Sequence, residues 1–148
     1  MSRVRTLLAD DHQEFIHVVE GLLEPTFEVV EKVADGEALV EAAQKLRPDV
    51  ILTDISMPLL DGIQAVRKLR ESNLPAKIIF LTMHSDSEIV RACMHSGATG
   101  YVLKSRVNAD LMPALHEVLA GGTFVSALNE ESVVQRSGSG EISARQRL

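Results

Sequence analysis

Several things are scarce in this 148-residue chain, and each scarcity excludes something. Cys93 is the only cysteine, so no intrachain disulfide can form. That fits a reducing compartment. No apolar run approaches the roughly 20 residues needed to span a bilayer. Met1-Ser2-Arg3-Val4-Arg5 leads straight into a short strand-like segment, without the basic region and long apolar stretch of a signal peptide. The expectation is a cytoplasmic protein with no membrane partner. Positive charge is also short. Residues 1–134 hold 12 basic and 20 acidic groups, and residues 135–148 hold 3 and 1. Non-specific nucleic-acid binding needs basic groups to neutralise phosphates, so the main body of the chain is a poor candidate for it.

What is present is a regular alternation of strand and helix patterns. Val4–Ala9 reads as a buried strand. Phe15, Ile16, Val18, Val19, Leu22 and Leu23 then repeat at helical spacing, and Pro25 stops that helix. Phe27–Val33 is a second strand, placed at a sheet edge by the charges of Glu28, Glu31 and Lys32. Gly36–Leu46 is helical, with Leu39, Ala42, Ala43 and Leu46 on one face, and Arg47-Pro48 breaks it. Val50–Thr53 is the third strand. Pro58–Gly62 is a loop, and Ile63, Val66 and Leu69 mark the helix after it. Pro75 precedes a fourth strand, Lys77–Leu81. Ser85 and Glu88 have the spacing of a capping box at the next helix start, and Gly97 stops that helix. Gly100–Leu103 is the fifth strand. The last long helix runs from about Asn108 to Ala120 and ends at Gly121-Gly122. Pro113 inside it predicts a kink or a late start. Leu128–Val134 could form one or two further turns.

Strands alternating with helices predict an α/β fold, a parallel sheet covered on both faces. In such sheets ligands bind beyond the carboxyl ends of the strands. Here those ends carry polar groups: Asp10-Asp11, Asp54, Thr82 and Lys104. Three clustered carboxylates repel unless protonated or neutralised by a cation. All-oxygen donors favour a hard ion such as Mg²⁺. Lys104 offers a compact charge on a long stem, and Thr82 a hydroxyl. Together these make a receptor for a phosphoryl group, with a carboxylate available as the nucleophile. Each residue alone has a plainer reading. Asp11 could cap a helix, Asp54 could cap a turn, Thr82 could be a β-branched strand residue, and Lys104 could end a strand in solvent. Four such strand ends in one chain are poorly explained by capping alone.

The Asp10-Asp11 pair, Asp54-Ile55-Ser56-Met57-Pro58 with Asp61-Gly62, Thr82, and Gly100-Tyr101-Val102-Leu103-Lys104 resemble the receiver domain of bacterial two-component response regulators. The resemblance covers about residues 4–121. It implies a flavodoxin-like, doubly wound sheet of five parallel strands in the order 2-1-3-4-5, an order that is general knowledge for this fold. It implies that Asp54 is the phosphoacceptor for a histidine kinase. Asp11 and Asp54, with the backbone carbonyl of Ser56, would ligate Mg²⁺, and Asp10 would act nearby, partly through water. Thr82 and Lys104 would bind the phosphoryl oxygens. Tyr101 would switch inward as Thr82 moves. Ser56 and His84 occupy positions that tune phosphate lifetime in the family; His84 reads equally well as a plain loop histidine. One departure is Ser105, where many receivers have a proline in a cis peptide.

The resemblance sets residues 1–122 as the receiver. Residues 123–141 would be an extension and linker, flexible by composition at Ser137-Gly138-Ser139-Gly140. Residues 142–148 would begin an output domain of the LuxR helix-turn-helix type, so DNA would be reached only through a domain this chain lacks. A receiver homodimer on phosphorylation is the expected partner state. Such a chain would catalyse only its own phosphorylation and dephosphorylation. Three rivals stay open. An aspartyl-phosphate phosphatase commonly has a second acid two residues after the nucleophile, where this chain has Ser56. A flavin module would want a Ser/Thr/Gly-rich phosphate cradle and flanking aromatics. A phosphorylation-independent interaction domain would tolerate Asp54→Asn.

Overall fold

The computed structural model describes residues 3–127. Six strands and five helices follow one another as β1 (Val4–Ala9), α1 (Gln13–Leu22), β2 (Phe27–Val33), α2 (Gly36–Leu46), β3 (Val50–Thr53), α3 (Gly62–Glu71), β4 (Lys77–Thr82), α4 (Ser87–His95), β5 (Gly100–Leu103), α5 (Val107–Leu119) and β6 (Phe124–Val125). A single 3₁₀ turn, Lys104–Arg106, joins β5 to α5. Every strand pairing is parallel, and the order is β2-β1-β3-β4-β5-β6. The expected five-strand order is present, with a short sixth strand added beside β5. No helix among the described residues is long and apolar enough to cross a membrane.

Alternation along the strands sorts the interior into two layers. Leu7, Ile51, Ile78, Phe80 and Tyr101 face one way, onto Leu39 and Ala43 of α2, Val66 and Leu69 of α3, and Val90 and Cys93 of α4. Leu8, Leu52, Ile79, Leu81 and Val102 face the other way, onto Val19 of α1 and Leu111, Leu115 and Val118 of α5. The apolar faces named in the sequence are the buried faces, except that Val18 of α1 is exposed, because it falls on the outer side of the helix from Ile16 and Val19. β2 pairs only with β1, so its charged residues do lie at an edge.

Helix ends follow from local chemistry. Asp35 caps α2 by accepting the Ala38 N–H at 2.7 Å. Asp61 and Gln64 form a reciprocal capping box at α3. The box expected of Ser85 and Glu88 does not form. Asp86 is the cap instead, accepting the Glu88 N–H at 2.7 Å, because a carboxylate one residue on is an equally competent acceptor. Pro113 does not delay α5, which begins at Val107. Pro113 and Ala109 are both exposed, so the carbonyl that loses its partner can be hydrated. No peptide among the described residues is cis. The turns expected of Leu128–Val134 lie outside the described residues.

Candidate functional site

Register brings the acids together. Ala9 pairs with Thr53, and the Asp54 N–H donates to the Ala9 carbonyl at 2.9 Å, so Asp10 and Asp54 leave adjacent strands at one level. Both are buried, each 5% exposed. The β3–α3 loop folds back over Asp54, where the Gly62 N–H donates to the Ile55 carbonyl at 2.7 Å. The Ile55 N–H donates to an Asp54 carboxylate oxygen at 2.7 Å. Asp11 is more open, and His12 follows it as the residue before α1. The His12 ring nitrogen lies 3.1 Å from Asp10 and 3.2 Å from Asp11.

Lys104 reaches this group from two strands away. Thr53 pairs with Phe80 and Phe80 with Tyr101, so Lys104 stands three residues beyond that level on β5. Its four-carbon stem covers the difference. Nζ lies 2.8 Å from Asp10 and 3.1 Å from Asp54. It also lies 4.5 Å from the centre of the Phe15 ring, a cation–π contact that walls the ammonium from solvent.

Electrostatics follow from this geometry. Burial pushes the Asp54 carboxyl above its ordinary range and the charge of Asp10 adds to that, while Lys104 and the Ile55 N–H oppose it. Burial alone would lower the Lys104 ammonium, but hydrogen bonding and charge from Asp10 and Asp54 outweigh it and raise it. The Asp10 oxygen that faces Lys104 is buried, and the ammonium 2.8 Å away is its partner. One ligand atom each from Asp10, Asp11, His12 and Asp54 lie within 4.8 Å of one another. The clustered carboxylate oxygens of Asp10, Asp11 and Asp54 fit a hard cation.

The remaining expected residues flank this centre. Thr82 is fully buried at the end of β4, and its hydroxyl accepts the His84 N–H at 3.1 Å. Tyr101 is fully buried and its hydroxyl donates to the His84 carbonyl at 2.5 Å. The ring is therefore already inward in this structure. His84 is half-buried, and its backbone joins Thr82 to Tyr101. Ser56 is exposed in the β3–α3 loop.

Four residues escaped the sequence reading: His12, Phe15, Asp110 and Ser126. His12 follows the acid pair directly, which was a usable signal. Phe15 had been read only as part of a helix face. Asp110 and Ser126 carry no local signal, because they meet across 16 positions.

An open parallel sheet with acids, a hydroxyl and a lysine gathered at its carboxyl edge defines a phosphoryl-receiving signalling domain. A family model described as the response regulator receiver domain matches residues 6–116, and the chain belongs to that family. Phosphorylation of an aspartate is the family mechanism, and its members bind Mg²⁺ at an acidic cluster such as the one here. The chain is 38% identical over 126 residues to the transcriptional regulatory protein DegU of Brevibacillus brevis, covering 84% of this chain and 53% of that protein. It is 37% identical over 122 residues to the nitrate/nitrite response regulator protein NarL of Escherichia coli K12, covering 81% of this chain and 56% of that one. It thus spans about half the length of these curated relatives. Among solved structures it resembles a LuxR-family two-component response regulator from Aurantimonas sp., with a TM-score of 0.82, 31% identity, and 93% and 97% of the two chains covered. It also resembles the receiver domain of RcsB from Salmonella enterica serovar Typhimurium with phosphomimetic BeF₃⁻, with a TM-score of 0.78, 30% identity, and 90% and 98% covered.

Proposed function

We propose that Asp54 accepts a phosphoryl group from a histidine kinase and that the modified receiver governs a DNA-binding output. The observation that carries this is the Lys104 ammonium held 3.1 Å from a buried Asp54 carboxylate. In the transfer, an Asp54 oxygen forms a bond to phosphorus as the bond from phosphorus to the kinase histidine breaks. Asp11, Asp54 and the Ser56 carbonyl would hold Mg²⁺, with Asp10 beside them, and the bound ion would supply positive charge to the phosphoryl oxygens.

The phosphoryl group carries about −1.5 to −2 of charge, in place of the roughly −1 of the ionised carboxylate it esterifies. Lys104 then exchanges its carboxylate partners for phosphoryl oxygens, and Thr82 turns its hydroxyl toward them. A pair of unit charges about 4 Å apart is worth about 4 kcal/mol at an effective dielectric of 20, before desolvation. That scale can bias a two-state element by a few kcal/mol. His84 links Thr82 to Tyr101 through its backbone, so movement of one reaches the other. Ser56 and His84 would tune the lifetime of the phosphate. The readout is a changed surface that pairs two receivers. Residues 123–141 lead to residues 142–148, the opening of a LuxR-type output domain.

Incubation with acetyl phosphate and Mg²⁺, followed by intact mass, tests the reading. The wild type gains one phosphoryl group, and Asp54→Asn gains none. A wild type without an adduct, or an undiminished adduct on the variant, overturns it.

A further inference from the structure

Lys104 stands where the chain turns from β5 into α5, so its aim depends on the turn Lys104–Arg106. Neither this turn nor α5 has a side-chain cap at its start. The turn is held instead by groups from farther along the chain. The Leu103 N–H, immediately before Lys104, donates to the Ser126 hydroxyl at 3.1 Å. Ser126 donates in turn to Asp110 at 2.6 Å. Arg106, two residues after Lys104, grips the same Asp110 carboxylate at 2.9 and 3.3 Å. A closed chain of hydrogen bonds therefore brackets Lys104 from both sides.

Ser126 fits this place for a structural reason. β6 ends at Val125, and the Ser126 N–H still bonds to the Tyr101 carbonyl at 2.8 Å. Leu103 is the next donor along β5, and the serine hydroxyl takes the place of the strand carbonyl it lacks. Ser126 is 2% and Asp110 7% exposed, so water is a poor substitute for either partner.

We infer that Ser126 and Asp110 are positioning residues for Lys104, and that the seating of residues 124–126 is coupled through them to the phosphoryl site. This rests on the phosphoacceptor reading of Asp54. A seated strap orders the turn and aims Lys104. Coupling of this kind is reciprocal, so a phosphoryl group that draws on Lys104 also tightens the strap. Residues 124–126 thereby carry the state of the site without a contact to Asp54.

The test uses the 148-residue chain with Ser126→Ala, Ser126→Thr and Asp110→Asn. Phosphoryl acceptance from acetyl phosphate with Mg²⁺ is read by intact mass. Hydrogen exchange of residues 122–127 is read with and without beryllofluoride and Mg²⁺. Ser126→Ala accepts phosphate about fivefold more slowly, the effect of losing about one net hydrogen bond. Ser126→Thr, which keeps the hydroxyl, recovers part of the rate. In the wild type beryllofluoride slows exchange at 122–127, and in Ser126→Ala it does not. A purely structural serine would lower the melting temperature and leave that response intact, which overturns the inference. So does a wild-type acceptance rate in Ser126→Ala, or a wild type that accepts phosphate with no change at 122–127. A wild type that accepts no phosphate removes the phosphoacceptor reading and this inference with it. If Ser126→Ala fails to fold, Asp110→Asn keeps the side-chain volume and decides by the same two readouts.

Discussion

A β-carbon on Gly62 would lie 2.1 Å from the carbonyl oxygen of Asp54. The obstacle is backbone, so no side-chain rotation relieves it. Gly62→Ala must push the β3–α3 loop off the strand end that bears Asp54. A loss of about 1–3 kcal/mol is expected from such overpacking. Melting should fall by about 2–4 °C per kcal/mol in a chain of this size. Gly21 is the internal control: it lies in α1 with no atom within 4 Å of an added β-carbon. Gly21→Ala should gain up to about 1 kcal/mol. Equal effects at the two positions would show that the close approach at Gly62 is unimportant.

Asp54→Asn should stabilise the resting domain at neutral pH. Burial holds the Asp54 carboxyl above its ordinary range, so the folded chain keeps this proton to a higher pH than the unfolded chain does. Stability from this group falls as pH rises from the ordinary aspartate value of about 3.9 through the raised one. Above that window the ionised carboxylate carries a cost that asparagine does not. Melting curves from pH 3 to 8 should separate the two proteins above the window and merge them below it. A wild type that melts higher at pH 7 would contradict this.

Removing Lys104 should do the opposite. Lys104→Met leaves Asp10 and Asp54 facing each other without a cation, and breaking a buried pair in this way costs about 3–5 kcal/mol. The raised ammonium makes its contribution fully present below the ordinary lysine value and lost only as pH climbs through the higher folded one. Mg²⁺ should raise the melting temperature of the variant more than that of the wild type, because the acids then lack their internal cation. Identical Mg²⁺ responses would place the ion's site elsewhere.

Tyr101 offers a spectroscopic check. It is the only tyrosine and there is no tryptophan, so absorbance near 295 nm reports this phenol alone. Burial pushes it up. In the native protein the phenolate signal should therefore be absent at pH of about 10, where a free tyrosine is half ionised. Tyr101→Phe should lose about 0.5–1.5 kcal/mol with its bond to the His84 carbonyl. It should also speed hydrogen exchange around His84. Native titration near the ordinary value would mean the ring is not seated inward.

Much of this is legible in the sequence, and the exceptions have physical causes. Val4–Ala9, Phe27–Val33, Gly36–Leu46, Val50–Thr53 and Gly100–Leu103 were bounded by charges, prolines and glycines that leave few choices. The start of α4 was misplaced because Ser85 and Asp86 are both good caps and only packing selects between them. β6 was missed because two residues show no periodicity, and its backbone pairing with β5 leaves no mark in the local sequence. The sequence reading expected Lys104 to bind the phosphoryl oxygens. That its ammonium also lies 2.8 Å from Asp10 and 4.5 Å from the centre of the Phe15 ring follows from a three-dimensional meeting of β1, α1 and β5 that no local pattern encodes.

The sheet also partitions the consequences of change. Leu39 and Val66 lie on one side of it, and Leu111 and Leu115 on the other, with the strand backbones between them. A cavity cut on one side can be relaxed only by neighbours on that side. Paired truncations such as Leu39→Ala with Leu115→Ala should therefore sum to within about 0.5 kcal/mol, while a pair on the same face should not. The molecule can thus be tuned beneath α2, α3 and α4 while the packing of α1 and α5 is left as it was.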